Sequence, residues 1–553
     1  MTPPIPAAVR RSLHETFGIT ELREGQQEVI SRALKGEDTL AIMPTGAGKS
    51  LCYQLPALHL DGTTLVVSPL ISLMKDQAEK LGEAGVASEQ LNSAQPRREQ
   101  GASMERIAGA ESDIVFATPE RLSDPAFIAA LARQRVALLV VDEAHCISQW
   151  GHDFRPAYLE IGAAAQALGE PPVLALTATA TPDVVDDIRH KLRRPRMHVV
   201  NTGIYRANLR LQVVQVTNEE EKLDRLLQAL RKAEGSGIVY TATVKACAGL
   251  YERLHALGES VSLYHGRLSA AERHANQDRF MSGEVRVMVA TNAFGMGIDK
   301  RDIRFVLHWQ MPGSPEAYYQ EAGRAGRDGQ PADCALVFYR KDRQVQQFFL
   351  ARRYPSVDEL RQVSSVLEQA PQGLSSKEID GRLPALPANR VAVALNLLRD
   401  GALVACDRSR RWRRCTERPA DAKALERLAH GYEDKSERDH AALERMVFYG
   451  QTGFCRWRVL LEYFGEPLPF EQRCGHCDNC LRPPVQPEAV VHAQRPEAPR
   501  RPVSVASAFQ PGDAVRVPRY GEGRVLKASG EDVTVLFPDR SRRRFLKQFV
   551  RRL

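Results

Sequence analysis

The chain has 553 residues and a formal net charge of +8, and both values limit what it can be. At roughly 150 residues per domain, it should contain several domains. Apolar residues make up 43% and charged residues 26%, the profile of an ordinary globular protein. Residues 495–553 hold 14 Lys and Arg against 6 Asp and Glu, while the remaining residues sum to zero charge. Such a tail favours contact with phosphate backbones, although a solvated surface is the simpler alternative.

The sequence also predicts where the protein acts. No run of about 18 apolar residues is present, which argues against a transmembrane helix. The segment MTPPIPAAVRRS at 1–12 lacks the apolar centre of a signal peptide. We therefore expect a cytoplasmic protein of bacterial type, associated with the nucleoid and not with a membrane. In that compartment the ten cysteines indicate metal ligands or free thiols rather than disulfides.

A first lobe is predicted at 1–205, where apolar strand-like runs alternate with helical stretches in βαβ fashion. Within it, MPTGAGKS at 43–50 lies between a predicted strand and a predicted helix. The N–H groups of such a turn, at Thr45, Gly46 and Gly48 among others, can hold phosphates at the positive end of the helix. Lys49 would reach the β- and γ-phosphates, and Ser50 would bind Mg²⁺. Met43 stands where the strict phosphate-loop pattern has its first glycine.

The segment VVDEAHCISQWGHDFRP at 140–156 ends a predicted buried strand with two adjacent carboxylates. Asp142 and Glu143 would lie at the carboxyl end of that strand, where they suit Mg²⁺ binding and the polarising of a water molecule. Trp150 and Phe154 follow on a predicted loop and favour stacking against nucleic-acid bases. For an isolated Asp-Glu pair, the simpler interpretation is a strand followed by core aromatics. The preceding phosphate loop favours an ATPase joined to a DNA site.

A second α/β lobe is predicted at 206–345 and carries no phosphate loop of its own, so we expect it to complete an ATP site across the cleft. The segment QEAGRAGRDG at 320–329 suits this task, because Arg324 and Arg327 share one helix face if the segment is helical. An arginine supplied from another lobe to the γ-phosphate is worth roughly 10³–10⁵ in rate. The alternative is a surface arginine pair in a glycine-rich turn.

The first 345 residues resemble the motor of a superfamily 2 helicase of the RecQ family. DEAH alone would also admit RNA helicases, whereas its continuation CISQWGHDFRP is much more specific to RecQ. The matching motifs, in the family's order, are FGITELREGQQEVI (17–30), MPTGAGKS (43–50), SPLISLMKDQ (68–77), TPERL (118–122), DEAHCISQWGHDFRP (142–156), LTATAT (176–181), VATNAFGMGIDK (289–300) and QEAGRAGRDG (320–329).

The resemblance implies roles for individual residues. Gln26 with Arg23 would recognise adenine, Asp142 would be the carboxylate linked to Mg²⁺, and Glu143 would be the base that activates water. Arg327 would be the arginine finger. Further implied groups are the γ-phosphate contacts Gln320 and Arg324 and the DNA-sensing loop residues His145, Trp150, Phe154 and Arg155.

Residues 355–435 depart from the usual RecQ arrangement, in which the motor passes quickly to the zinc module. They predict three helices followed by a hairpin, ALVACDRSRRWRRCT, at 402–416. That order is winged-helix-like, with a basic wing in which Arg411 and Arg413 flank Trp412. We expect a winged helix that contacts DNA; the alternative is a helical packing insert with a solvated arginine face.

Four cysteines predict a zinc module at 436–481. Cys455, Cys474, Cys477 and Cys480 have the spacing C-x18-C-x2-C-x2-C, which suits a tetrahedral, structural Zn²⁺ site. One ligand is expected at a helix and three in the CGHCDNC loop. The arrangement also resembles the RecQ zinc module.

The tail comprises a Pro-rich linker at 482–510 and a predicted basic small β-barrel at 511–553. The barrel resembles the Tudor-like or SH3-like modules of some superfamily 1 helicases. Such modules bind nucleic acid or a protein, such as a single-stranded-DNA-binding protein, and the sequence leaves both open, with the basic clusters favouring nucleic acid.

Together these features predict an α/β protein with two tandem RecA-like parallel-sheet lobes, a winged-helix-like insert, a zinc-binding helical module and a small C-terminal β-barrel. The predicted function, with its polarity implied by the resemblance, is an ATP- and Mg²⁺-dependent 3′→5′ DNA helicase acting on single-stranded and forked DNA in repair or recombination. One alternative is a DNA-stimulated translocase or strand-annealing factor with weak unwinding. Another is a recruitment protein that acts through its tail, and an RNA-directed motor is a weaker third.

Overall fold

The structure is a computed structural model, and it describes most of the chain. The described residues are 5–92, 95, 97–148, 155–295, 300–351, 355–407, 411–415, 422–482, 509–517, 521–529, 532–537, 542–547 and 550–552. The chain divides into two compact units, Met1–Pro484 and Val485–Leu553. Within the described part of the chain, no helix has the length and apolarity that a membrane crossing requires.

The first lobe is built on a seven-stranded parallel sheet with the order β3-β4-β2-β5-β6-β1-β7. Its central strands are continuous apolar runs because helices cover both faces. The elements in chain order are α1 (Ala7–Glu15), α2 (Gln26–Leu34), β1 (Thr39–Ile42), α3 (Leu51–Ala57), β2 (Thr63–Val67), α4 (Ile71–Glu83), β3 (Ser88–Leu91), α5 (Arg97–Ala108), β4 (Ile114–Ala117), α6 (Pro125–Leu131), β5 (Val136–Val141), α7 (Ile161–Ala167), β6 (Val173–Thr177), α8 (Pro182–Lys191) and β7 (His198–Asn201), with 3₁₀ turns at Pro119–Ser123, Ala144–Ile147 and Pro156–Glu160.

The second lobe repeats the pattern with a six-stranded parallel sheet of order β10-β11-β9-β12-β13-β8. Its elements are β8 (Leu209–Val216), α9 (Glu219–Lys232), β9 (Ser236–Tyr240), α10 (Val244–Ala256), β10 (Val261–Tyr264), α11 (Ala270–Met281), β11 (Val287–Ala290), β12 (Ile303–His308), α12 (Pro315–Ala322), β13 (Ala332–Tyr339) and α13 (Asp342–Ala351). The prediction of two tandem parallel-sheet lobes is confirmed.

Three strands lie outside the predicted strand runs. β3, β7 and β8 lie at the edges of the two sheets, and most of their residues are exposed or half-buried. Edge strands are therefore less apolar than central strands and lack the continuous apolar run on which the prediction depended.

The insert contains the predicted helices and hairpin. They are α14 (Val357–Glu368), β14 (Leu374–Ser375), α15 (Ser376–Arg382), α16 (Ala388–Asp400), β15 (Val404–Cys406) and β16 (Arg411–Arg414). The strands form an antiparallel sheet of order β14-β16-β15, and the helices enclose a separate apolar core with it.

The boundary predicted at 435/436 falls inside one long helix, α17 (Ala422–Gln451). Near its start, Leu425 and Ala429 pack into the core of the insert, while Leu443 and Met446 pack into the core of the second lobe. The zinc module continues with α18 (Arg456–Phe464) and α19 (Asp478–Leu481). Insert and zinc module are thus joined by a shared helix rather than by a linker.

The C-terminal unit contains a five-stranded antiparallel sheet of order β20-β19-β18-β17-β21. Buried valines at alternate positions form its core, and the intervening residues are exposed or half-buried, Arg516 and Arg524 among them. The strands are β17 (Ala514–Val517), β18 (Gly521–Ser529), β19 (Asp532–Leu536), β20 (Arg542–Leu546) and β21 (Arg551–Arg552).

Candidate ATPase site and zinc centre

The phosphate loop runs from the end of β1 to the start of α3. Gly46 and Gly48 have φ values of +86° and +81°, a region that residues with a Cβ rarely adopt, which explains the two glycines. The Lys49 ammonium donates to the Met43 carbonyl at 3.2 Å, and burial lowers the pKa of Lys49. Ser50 is the last residue before α3. The loop therefore presents its lysine and hydroxyl at the amino end of a helix, as predicted.

Gln26 and Arg23 pack directly on this loop. The Gln26 amide donates to the carbonyls of Ala47 and Gly48, each at 3.0 Å, and accepts from the Arg23 N–H at 2.7 Å. The Arg23 guanidinium donates to the Gly46 carbonyl. Adenine recognition by Gln26 stays a prediction that requires these backbone bonds to be exchanged for bonds to the base.

The two carboxylates follow β5 at the carboxyl edge of the first sheet. Asp142 accepts hydrogen bonds from the Ser68 hydroxyl at 3.2 Å and from the Glu143 N–H at 3.0 Å. Burial and the neighbouring Glu143 carboxylate raise the pKa of Asp142, and the Lys49 ammonium opposes this effect. A divalent cation would relieve the crowding of negative charge, so the donor set fits Mg²⁺.

His145 is buried at 3% exposure, and its part in the DNA-sensing loop stays a prediction. Its Nδ1 lies 3.3 Å from a Glu143 carboxylate oxygen and 3.0 Å from the Thr177 hydroxyl of the LTATAT motif. His145 thus lies beside Glu143 in the candidate site. The Arg155 guanidinium donates to the Pro69 carbonyl at 3.3 Å. Trp150 and Phe154 lie outside the described residues.

The turn after α12 brings the second lobe to the phosphate loop. A Cβ added at Gly46 would lie 3.0 Å from Cγ of Arg327, and one added at Gly323 would lie 3.6 Å from the Thr45 side chain. Arg327 also contributes to lowering the pKa of Lys49. The second lobe therefore brings Arg327 beside the phosphate loop, and its role as an arginine finger stays a prediction.

Arg324 and Gln320 are placed differently from Arg327. Arg324 is 9% exposed, and its guanidinium donates to the Gly295 carbonyl within the second lobe. It therefore supports the VATNAFG segment, and its contact with the γ-phosphate stays a prediction. Gln320 lies half-buried on α12, and its contact with phosphate stays a prediction.

Two positioning residues were missed by the sequence analysis. The Arg206 guanidinium donates to the carbonyls of Gly323 at 2.7 Å and Ala325 at 2.9 Å, and also to that of Gly326, so it clamps the turn that carries Arg327. Just before it, the Ile204 N–H donates to the Glu466 carboxylate at 2.7 Å. The backbone groups that Arg206 and Glu466 contact lie more than one hundred residues away along the chain. No sequence motif therefore marks either residue.

The four predicted zinc ligands come together. The sulfurs of Cys455, Cys474, Cys477 and Cys480 all lie within 4.8 Å of one another. The Cys474–Cys480 and Cys477–Cys455 sulfur pairs are 3.8 Å and 4.0 Å apart. A tetrahedron with Zn–S bonds of about 2.3 Å has edges of about 3.8 Å, so the donor set fits Zn²⁺.

Backbone donors and helix starts support this centre. Cys455 immediately precedes α18, and Cys477 immediately precedes α19. The N–H groups of Arg456 and Cys474 point to the sulfurs of Cys477 and Cys455 at 3.4 Å each. These contacts fix the thiolate positions.

The predicted aromatic of the wing is a core residue. Trp412 is 9% exposed, packs into the insert core and donates from its indole N–H to the Ser376 hydroxyl at 3.2 Å. Trp412 thus serves the packing of the insert in this structure, and its contact with DNA stays a prediction. Arg411 donates to the Gly373 carbonyl at 2.7 Å and Arg413 pairs with Asp407, so DNA contact by these arginines stays a prediction.

Family profiles match three segments of the chain. Residues 23–188 match the DEAD/DEAH box helicase profile, and residues 220–329 match the helicase conserved C-terminal domain. Residues 419–481 match the RecQ zinc-binding profile, which begins near the start of α17. The matches cover both lobes and the four-cysteine module.

Several curated relatives are similar over most of the chain. The chain is 40% identical over 466 residues to "ATP-dependent DNA helicase RecQ" of Bacillus subtilis, covering 84% of this chain and 65% of that protein. It is 41% identical over 367 residues to "Probable ATP-dependent DNA helicase RecS" of the same organism, covering 65% of this chain and 73% of the relative. A RecQ of Pasteurella multocida is 34% identical, with 87% and 64% covered. The chain thus spans about 65% of the length of the two RecQ relatives.

Solved structures support the fold. Lhr helicase of Mycobacterium smegmatis has a TM-score of 0.51 at 21% identity, covering 77% of this chain and 62% of that chain. The DUF1998 helicase MrfA has a TM-score of 0.52 at 19% identity, covering 77% and 65%. At such identities the likeness concerns architecture alone. With the two-lobed fold, the inter-lobe arginine, the four-cysteine centre and relatives above 30% identity in place, the chain belongs to the RecQ family of helicases.

Proposed function

We propose that the protein is an ATP-dependent DNA helicase that translocates 3′→5′ on single-stranded DNA and opens duplexes during repair or recombination. The observation that carries this proposal is the contact of Arg327, from the second lobe, with the phosphate loop of the first. Such a contact makes the ATP site depend on lobe closure, which a translocating motor requires. The names of the relatives supply the reaction class.

The protein residues act in three ways in this proposal. Lys49 and the loop N–H groups bind the phosphates, and Glu143, oriented by His145, accepts a proton from the attacking water. Arg327 stabilises charge that develops on the γ-phosphate. Asp142 and Ser50 would hold Mg²⁺. When bound, this ion would neutralise negative charge on the phosphates.

The accessory parts favour DNA as the substrate. The order of helices and strands in the insert supports a winged helix, and the small C-terminal sheet supports an SH3-like or Tudor-like barrel. We propose single-stranded and forked DNA as the ligands and the cytoplasm near the nucleoid as the location. A single-stranded-DNA-binding protein is the alternative ligand of the tail. The four-cysteine centre would hold Zn²⁺ as a structural ion.

A translocase or annealing factor with weak unwinding is the second candidate. The burial of Trp412 favours it, because the insert then offers no stacking aromatic at that position to separate strands. An RNA-directed motor is opposed by the CISQWGHDFRP segment.

The test is strand displacement on matched duplexes with either a 3′ or a 5′ single-stranded tail, with ATP and Mg²⁺. We expect the 3′-tailed duplex alone to be opened. The Glu143→Gln variant should bind ATP normally and lose hydrolysis by about 10³-fold or more, because it lacks the base. DNA-stimulated hydrolysis without opening of either duplex would favour the translocase. Opening of the 5′-tailed duplex alone would overturn the polarity.

A further inference from the structure

The C-terminal unit has one apolar and one basic sheet face. Val515, Val525, Val533 and Val535 are buried, and the residues that alternate with them point to the opposite face. Exposed basic residues there are Arg516 on β17, Arg524 and Lys527 on β18, Arg542 on β20 and Arg551 on β21.

The strand register sets these arginines in two rows. Arg551 lies opposite Arg516, which lies opposite Glu522. In the next row, Arg524 and Arg542 are separated by Leu536 of β19. Two like charges directly opposite one another destabilise a sheet, so the Arg516–Arg551 pair has a cost that solubility alone does not require.

Among the side chains that the structure describes on this face, Glu522 is the one acid. It lies 3.6 Å from the Arg516 guanidinium, and both side chains are more than half exposed. An exposed pair of this kind is weak and leaves the charge available to a ligand. The face therefore carries a net positive field over its whole width.

We propose that this face, which we call the basic face and define by Arg516, Arg524, Arg542 and Arg551, binds the phosphate backbone of nucleic acid. The inference rests on the proposed function in one respect: a DNA motor supplies the ligand at high local concentration. Arginines in rows match phosphate oxygens, and the binding is independent of sequence.

The composition of the face favours nucleic acid over a protein partner. Protein interfaces depend on buried aromatic or aliphatic anchors, and the one large apolar side chain exposed in the described part of this unit is Leu526, at 38%. Backbone phosphate binding requires no such anchor.

The size of the face fits several phosphates. From β21 to β20 there are four inter-strand spacings, or about 19 Å. At about 3.4 Å of rise per nucleotide, one strand of a duplex passes roughly five phosphates over that distance. The four arginines therefore span a distance over which a duplex strand presents about as many phosphates as there are arginines.

The test uses the full chain without ATP and measures affinity for a labelled duplex and for a single strand at several salt concentrations. Arg524→Gln with Arg542→Gln should weaken binding several-fold and lower the slope of log K against log salt by about 2, one per contact. Glu522→Gln is the matched control on the same face. It should strengthen binding, because it removes the described acid.

The outcomes separate this proposal from that of the motor. Unchanged affinity and slope in the double variant would overturn the basic face and leave an acidic protein surface as the alternative occupant. Weakening by Glu522→Gln would overturn it as well. The Glu143→Gln variant should retain the full salt slope, because it leaves the basic face unchanged. If the unchanged protein opened neither tailed duplex but kept the full slope, the proposed function would be rejected and this inference would stand.

Discussion

The Lys222 side chain shows how one buried residue stabilises the second lobe. Its ammonium lies 2.9 Å and 3.0 Å from the two Asp342 carboxylate oxygens and 4.6 Å from the centre of the Trp309 ring. The Lys222 side chain is 0% exposed and that of Asp342 is 4% exposed. Burial raises the pKa of Asp342 to about 6, and the Lys222 ammonium opposes that rise.

The sign of the pH effect follows from this raised pKa. The folded chain holds the Asp342 proton more tightly than the unfolded chain, whose value is near 3.8. The resulting stabilisation is present below about pH 4 and is lost as the pH rises through about 6. At neutral pH the buried carboxylate therefore depends on the lysine.

Lys222→Met should lower the free energy of unfolding by about 3–5 kcal/mol at pH 8, because it leaves a buried carboxylate without its cation. The deficit relative to the unchanged protein should be smaller at pH 5, where Asp342 is more often protonated. Thermal unfolding followed by intrinsic tryptophan fluorescence at the two pH values measures both. The control Lys222→Met with Asp342→Leu should recover most of the loss. An equal deficit at both pH values would contradict the argument.

At the scale of elements, the turn between α12 and β13 is held in shape by side chains from another segment of the chain. The Arg206 guanidinium holds three of its carbonyls, and the Asn208 amide donates to the carbonyls of Gly326 and Gln330 at 2.9 Å each. Arg206 and Asn208 stand in the segment that leads from the linker between the lobes into β8. The position of Arg327 is therefore linked to the path of that linker.

Arg206→Ala should lower kcat for ATP hydrolysis by about 10²-fold and change KM less than about threefold, because a shifted finger acts mainly in the transition state. Steady-state hydrolysis with saturating DNA measures this split. Arg206→Lys should restore little, since an ammonium cannot reproduce the planar guanidinium fork.

The matched control is Arg210→Ala, four residues along, where an exposed arginine pairs with Asp333 at 2.9 Å. It should leave kcat unchanged. If Arg206→Ala raised KM and lowered thermal stability while kcat stayed the same, Arg206 would be a structural residue only.

At the scale of the first unit, the zinc module covers the edge of the second sheet and holds the linker between the lobes. Asp478 accepts the Val213 N–H of edge strand β8 at 2.8 Å, and Glu466 accepts that of Ile204 at 2.7 Å. The Tyr449 and Tyr318 hydroxyls lie 3.1 Å apart, between α17 and α12. The zinc module thus contacts both the linker between the lobes and α12, the helix that leads into the turn carrying Arg327. Unfolding of the module would remove these contacts.

Cys477→Ser should lower the zinc content per chain and the soluble yield, because three thiolates hold the ion less well than four. Metal analysis and thermal unfolding measure the effect. Cys406→Ser is the control, since Cys406 is exposed and lies in the insert. Full zinc content and full stability in Cys477→Ser would show that the four-cysteine assignment is wrong.

The sequence by itself determined the two lobes, the phosphate loop, the carboxylate pair and the zinc ligands. Each depends on local physical requirements: continuous apolar runs for central strands, glycines at Gly46 and Gly48 for positive φ, and short spacing between thiolates. Such requirements act over a few residues and are therefore visible in the order of amino acids.

The tertiary structure decided what distant segments do to one another. Burial turned His145 toward Glu143, placed Trp412 in a core, and brought Arg206 to the turn beside Arg327. Edge strands and the continuity of α17 were likewise settled by packing. The physical reason is that a charged or aromatic residue looks the same in the sequence whether its side chain is solvated or buried. Only its contacts with residues distant in sequence decide between a solvated and a buried position.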